Sequence, residues 1–252
     1  MTDQSPTESQ RPKDGRKASL PAGIALAAVV SGGALAASPA DAGAEVQVYD
    51  VDAVHSGVNF RVRHLFSPTP GRFTDFAGKL LLDTEHIEKS RFDLVIQAAS
   101  INTGNERRDR HVRSDDFLAV ERFPTITFVS TAIEPLPAKQ AAAGAASAGG
   151  SPAVSAPQPG TPPADQAQPR LFRVRGDLTI RGITRPVDLE VEMLGFGDVP
   201  GMGRRGGFIA RTTINRMDFG VKWNQLLEAG STLLGDELAI ECPIEVVQVT
   251  AE

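Results

Sequence analysis

The sequence predicts an all-β protein of about eight antiparallel strands with one or two short helices. Three observations carry that prediction. Apolar and polar residues alternate with period two through most of the chain, turn-like segments separate the runs, and only two stretches have a helical character. A run with one apolar and one polar face is the pattern of an antiparallel sheet with one side solvated.

The strands follow in order. Val58, Phe60, Val62 and His64 share one face, opposite Asn59, Arg61 and Arg63. Phe92, Leu94 and Ile96 oppose Arg91, Asp93 and Gln97, and Ile126 and Phe128 oppose Thr125 and Thr127. Phe172, Val174, Leu178 and Ile180 oppose Arg173, Arg175, Asp177 and Thr179. Val187, Leu189, Val191 and Met193 oppose Asp188, Glu190 and Glu192. Leu238, Ile240, Cys242, Ile244 and Val246 oppose Glu237, Glu241 and Glu245. The two helical stretches are Glu106 to Ala119, rich in Arg and Asp, and Val221 to Ala229, which Gly230 would stop.

Many strands and few helices leave two architectures, a sandwich or a barrel. A barrel of about eight strands is either filled by its own side chains or holds one small ligand. Periodicity does not choose between these interiors.

Two segments fall outside the strand pattern. At the N-terminus, Arg11, Lys13, Arg16 and Lys17 precede an apolar run from Leu20 to Ala37, followed by Ala40-Asp41-Ala42, an A-x-A cleavage signal before Gly43. Basic, apolar and small-residue regions in that order make residues 1–44 a signal peptide. The run is also near the length that spans a bilayer, which leaves an uncleaved N-terminal membrane anchor open. No adjacent Arg pair marks a twin-arginine leader. The second segment, 137–169, is almost entirely Ala, Gly, Ser, Pro and Gln. It cannot bury enough apolar surface to offset its ordering entropy. Strand-like sequence flanks it on both sides, so it reads as a disordered insertion within one domain, 45–252, rather than as a linker between two. Loop closure entropy grows slowly with length, which makes such an insertion tolerable.

Composition narrows the function. With 26 basic and 31 acidic side chains, the formal net charge is -5, without the basic excess expected of a nucleic-acid binder. Twelve of the aromatic residues are Phe, against one Trp and one Tyr. Phe has no polar group to satisfy and suits a dry interior. Cys242 is the single cysteine, so neither an intramolecular disulfide nor a cysteine zinc cluster can form. Its alternation with Ile240 and Ile244 predicts a buried structural thiol.

The polar groups do not converge on catalysis. The four histidines, His55, His64, His86 and His111, show no H-x-x-x-H or Cys/His spacing, and no metal is expected. His64 lies on the apolar face of its strand, either as a hydrogen-bonded core histidine or as a contact to a ligand head group. The mixed-charge run Arg107 to Asp116 reads either as a solvated face of structural ion pairs or as a lid helix, with Arg108 and His111 turned to a polar head group and Phe117 sealing the apolar side. Ser56 beside His55 lacks a G-x-S-x-G elbow, and strand neighbours point to opposite faces. Asp115 and Asp116 diverge on a helix and make a poor acid/base pair. The Gly-rich segments Gly195–Gly197 and Gly201–Gly207 precede no phosphate-binding helix and read as hairpin loops.

Six phrases, taken in order, resemble the YceI-like family. They are Asp52-Ala53-Val54-His55-Ser56 with Phe60 to His64; Gly71-Arg72-Phe73 with Phe76 and Gly78; Ser100 to Thr103 with Arg108 to His111 and Ser114 to Phe117; Phe123 to Phe128; Gly176 to Val187; and Asn215 to Gly220. Together they cover nearly all of the chain outside the leader and the insertion. The chain departs from the pattern at Leu65 to Pro70, which holds two prolines, and in the length of the insertion.

The resemblance implies a lipocalin-like antiparallel β-barrel with a long interior channel, exported to the periplasm; the N-terminal segment leaves a secreted form, or one anchored by an uncleaved leader, open as well. It implies a polyisoprenoid ligand, either a polyprenyl compound or a quinone tail, with no other cofactor and no enzymatic activity. The lining residues expected for the lipid are Phe60, Val62, His64, Phe76, Phe92, Leu94, Ile96, Phe117, Ile126, Phe128, Phe172, Val174, Leu178, Leu189, Phe208 and Phe219. His64, Arg108 and His111 are the head-group candidates. Association with a membrane surface and homodimerisation stay open, as do two other readings, a ligand-free structural or stress-related barrel and an enzyme acting on the isoprenoid.

Overall fold

The computed structural model describes residues 46–137, 170–224 and 233–249. The expectations for the leader, for 138–169 and for the last part of the second helical stretch lie outside the described residues.

Among the described residues there are eleven strands. They are β1 (Val46–Val51), β2 (Val58–His64), β3 (Ser67–Phe73), β4 (Phe76–Asp83), β5 (Arg91–Gln97), β6 (Ile101–Asn102), β7 (Thr125–Leu136), β8 (Arg170–Ile180), β9 (Ile183–Val199), β10 (Gly203–Asn215) and β11 (Leu234–Gln248). Their pairings reduce the eleven to eight ribbons. β1 runs against β4 with Val46 opposite Asp83, and β2 against β3 with Val58 opposite Phe73. So β1 and β2 are one interrupted strand, and β3 and β4 are its interrupted partner. β5 pairs with β4 and β6 with β3, which makes β6 the continuation of β5. The eight ribbons follow one another up and down, and β11 closes the circle on both β1 and β2. The interior is therefore a closed barrel, not a sandwich.

The break between β1 and β2 has a local cause. Pro243, in the facing part of β11, has no N–H to give to the ladder, and proline within a sheet is confined to edges and bulges. The chain bulges opposite it. Asp52 N–H donates to Glu245 O at 2.9 Å, Gly57 N–H to Pro243 O at 2.8 Å, and Ser56 Oγ accepts the Glu245 N–H at 2.9 Å. The phrase Asp52 to Ser56 is thus a bulge clasp. Pro68 and Pro70 lie on β3, whose outer edge pairs with β6 only at Arg72 and Phe73. That edge tolerates two prolines.

The one α-helix among the described residues is α1 (Glu106–Arg113), with Asn105 as its N-cap accepting the Arg108 N–H at 3.0 Å. It ends six residues before the expected Ala119. The Ser114 hydroxyl and amide both turn back to His111 O, and Ala119 has φ +50°. Ser competes with helix backbone in this way. The second expected helix does not start at Val221, because Val221 to Asn224 are irregular. The Arg216 side chain takes the carbonyls of Val221 and Trp223, which a helix would need for itself.

The ends of the barrel differ. One end carries the β2–β3 turn at Leu65–Phe66, the α1 loop, the Arg181–Gly182 turn and the β10–β11 connection. The other carries the residues 84–90, the β9–β10 turn, and Leu136 and Arg170, the described ends of the insertion. Leu136 and Arg170 therefore lie at the end opposite α1. That far end is plugged by Tyr49, Leu80, Leu82, Ile244 and Val246, with Phe196 packed between Tyr49 (tilted, ring centroids 5.4 Å apart) and Phe208 (edge-on, 5.5 Å).

Candidate functional site

A cavity of about 660 Å³ runs down the barrel from the α1 end. Period-two alternation builds its wall. Val58, Phe60 and Val62 of β2, Phe92, Leu94 and Ile96 of β5, and Ile126 and Phe128 of β7 face inward. Leu178 of β8, Leu189 of β9, Ile214 of β10, and Leu238 and Ile240 of β11 complete the circle. Glycine makes room for two of the rings. A side chain on Gly71 would collide with the ring of Phe60, its cross-strand partner, and one on Gly176 with that of Phe128.

Below Phe92, Leu189, Ala210 and Ile244 a second, smaller cavity of about 90 Å³ continues toward the plugged end. Those four residues line both chambers and form the neck between them.

The polar lining gathers at the mouth. His64, Thr103, Asn105, Arg107, Arg108, His111, Arg216 and Trp223 stand there. His111 Nε2 lies 2.8 Å from Asp116 Oδ2, and its ring sits edge-on to Phe117 and Trp223, each 5.0 Å away between centroids. Arg108 is held by Thr103, through Nε to Oγ1 and Nη2 to the carbonyl, both at 2.7 Å. Asp109 is buried under the helix and accepts the Thr103 N–H at 2.9 Å. The charged run is thus both things at once, a set of structural bonds and a helix placed at the cavity mouth. Arg216 is 4% exposed and donates to the carbonyls of Gly235, Val221 and Trp223 and to Asp236. Burial pushes its guanidinium down from the ordinary value, and Asp236 opposes that.

Twelve of the sixteen residues named from the sequence border the main cavity. Phe60, Val62, His64, Phe92, Leu94, Ile96, Phe117, Ile126, Phe128, Leu178, Leu189 and Phe219 line the main cavity, as do Arg108 and His111. Four residues do not. Phe76 packs in the core outside the cavity wall, because β4 starts there, just after the Thr74–Asp75 break in its ribbon. Phe172, Val174 and Phe208 sit lower, in the wall of the second chamber. His64 is an exposed rim residue rather than a core histidine.

Sequence reasoning missed Arg107, Val112, Arg216 and Trp223. Helical spacing of Arg108, His111 and Val112 could have found Val112. Trp223 lies in an irregular segment, where no period applies. Cys242 is a wall residue of the cavity, and burial pushes its thiol up to about 11.

Outside the barrel, Asp52, His55 and Glu245 place ligand-type atoms within 4.8 Å of one another. The site is already served by a cation, since Arg205 pairs with both carboxylates.

Residues 49–246 match the YceI-like domain family. A UPF0312 protein of Vibrio vulnificus (strain YJ016) is 30% identical over 207 residues, 82% of this chain and 89% of the relative. A UPF0312 protein of Pseudomonas aeruginosa (strain LESB58) is 32% identical over 198 residues, 78% of this chain and 86% of the relative. Among solved structures, Burkholderia cenocepacia BcnA aligns with a TM-score of 0.57 at 22% identity, covering 77% of this chain and 98% of that one. A polyisoprenoid-binding domain from Saccharophagus degradans, described as implicated in plant cell wall breakdown, aligns at 0.52 and 17% identity, covering 81% of this chain and all of that one. With the eight-ribbon barrel, the motif order and the match across nearly all described residues in agreement, the chain belongs to the YceI-like family.

Proposed function

We propose that this barrel binds one long isoprenoid lipid, a polyprenyl compound or a quinone tail, for carriage, storage or sequestration in the cell envelope. The observation that carries the reading is the cavity itself, about 660 Å³ enclosed by inward Phe, Leu, Ile and Val side chains with most of its polar groups gathered at the mouth. Its size falls in the range of roughly 300–1,000 Å³ usual for small-molecule sites. Thr212, a polar residue on the wall, already spends its hydroxyl on Asp188 O at 2.9 Å. Such a lining suits a chain with almost no hydrogen-bonding capacity. Burial contributes about 0.8 kcal/mol per CH2, partly offset by the cost of association and chain ordering. Family membership, and the fold shared with a domain described as polyisoprenoid-binding, support the same ligand class.

The lipid is read as cargo and not as substrate. Ser56, the one serine beside a histidine, has its hydroxyl committed to the Glu245 backbone in the bulge outside the cavity. The basic and apolar N-terminal segment supports export, with the lipid-binding barrel acting in the periplasm or as a secreted protein.

The test is native purification of the exported protein, organic extraction and mass spectrometry of the extract. A stoichiometric polyprenyl or quinone species is expected. An empty extract, together with failure to take up an added long isoprenoid, would replace this reading with a ligand-free barrel.

A further inference from the structure

We propose that the β2–β3 hairpin docks the mouth of the barrel onto an anionic phospholipid bilayer, with Phe66 inserted into the lipid. Three independent features of the hairpin point to that partner. First, the two-residue turn Leu65–Phe66 joins His64 to Ser67, and Phe66 is 99% exposed at its tip. A turn tip is where polar or glycine residues are expected. Second, Leu65 adopts φ +53°, a conformation that is strained for a bulky side chain. The fold holds it there by bonds from Arg63 Nη1 to Leu65 O and from Leu65 N–H to Leu233 O, both at 2.9 Å. An apolar tip is therefore kept out in water at a cost. Third, the segment 58–73 carries Arg61, Arg63, Arg72 and His64 and no acidic residue, in a chain of net charge -5.

Position supplies the rest. His64 and Thr69, next to the tip, line the cavity mouth. The neighbouring α1 segment 103–124 balances five Arg against five acidic residues, several of them paired with each other, so it adds no formal net charge beside the hairpin. An arginine close to an anionic leaflet is attracted to it and a buried aromatic ring anchors the contact. The mouth would then open directly onto the bilayer, and an insoluble chain could pass between lipid and cavity without crossing water. That consequence rests on the isoprenoid reading, whereas the docking does not.

The test uses the full chain in a Cys242→Ala background with a nitroxide label at Phe66→Cys, compared with a label at Met202→Cys in the β9–β10 turn at the opposite end. Accessibility of each label to oxygen and to a water-soluble relaxation agent is read on vesicles of phosphatidylcholine, with and without phosphatidylglycerol. A lipid-exposed signal at position 66 is expected on the anionic vesicles, about tenfold weaker on neutral ones and reduced by salt, while position 202 stays aqueous. An aqueous label at position 66 on anionic vesicles, or a lipid-exposed one at 202, would overturn the proposal. A docked barrel whose extract is empty would leave the docking standing and remove the isoprenoid reading. A lipid-loaded protein with an aqueous position 66 would do the reverse.

Discussion

Arg205 Nη1 donates to Asp52 Oδ2 at 2.8 Å, tying β10 to the bulge between β1 and β2. Arg205 also pairs with Glu245 of β11, so one guanidinium joins three ribbons beside Pro243, where the ladder is interrupted. The bond from Arg205, and after it the bond from His55, holds the Asp52 carboxyl well below the usual carboxylate range. A depressed folded pKa contributes stability that is full above the unfolded value and lost as pH falls toward the folded one. Asp52→Asn is therefore expected to destabilise the barrel at about pH 7, with the gap to the unchanged protein narrowing as pH drops below about 4. Urea denaturation at about pH 7 and about pH 2.5 measures this. A gap that stays constant would remove the electrostatic account and leave only packing.

Arg216 is expected to be the residue on which the order of the mouth depends. Its guanidinium satisfies three backbone carbonyls and Asp236 from a nearly fully buried position. Arg216→Met keeps much of the length and removes every donor. Leaving the carbonyls of Gly235, Val221 and Trp223 without it should cost about 3 kcal/mol. Arg216→Lys should recover only part, because an ammonium lacks the planar fork. Chemical denaturation of both variants decides the matter, and a loss under about 1 kcal/mol for Arg216→Met would show that other contacts hold the loop.

The strands were legible in the sequence because one face is wet and the other dry. Val187, Leu189, Val191 and Met193 face in as their alternation required. Barrel closure was legible only through the family resemblance, because pairing of β11 with both β1 and β2 is a long-range event that alternation does not encode. The same limit explains Phe76, Phe172, Val174 and Phe208. Period two says which face a residue takes, but not how deep along the barrel axis it lies. Depth is set by register, and it places the last three below the neck. Arg216 was visible only as part of a motif, since its role depends on carbonyls supplied by Gly235 and Trp223, seven to nineteen residues away.

Cys242 gives a chemical probe of the wall. Its thiol faces the cavity, and burial raises it from 9.0 to about 11. The thiolate is the reactive form, so a thiol raised by burial is expected to alkylate more slowly than an unperturbed cysteine at the same pH, although the higher nucleophilicity of its thiolate offsets part of the loss. Bound isoprenoid should slow it further by covering Ile240, Cys242 and Ile244. The check is the rate of iodoacetamide modification followed by intact mass, before and after delipidation. Equal rates in the two states would place the ligand elsewhere.

The neck predicts a length preference. Phe92, Leu189, Ala210 and Ile244 line both chambers, and Ala210 is the smallest of them. Ala210→Leu adds bulk at the passage while leaving the upper wall and the mouth unchanged. A chain short enough to end above the neck should bind as before. A longer one should lose the burial of at least one isoprene unit, roughly 4 kcal/mol gross, of which ordering costs remove a large part. A weakening of about tenfold or more is expected for long chains only. Overpacking can itself cost about 1–3 kcal/mol, so the short-chain affinity serves as the internal control for folding. Titration of the variant with isoprenoids of increasing length is the measurement. Equal losses for short and long chains would mean that the lower chamber takes no part in binding.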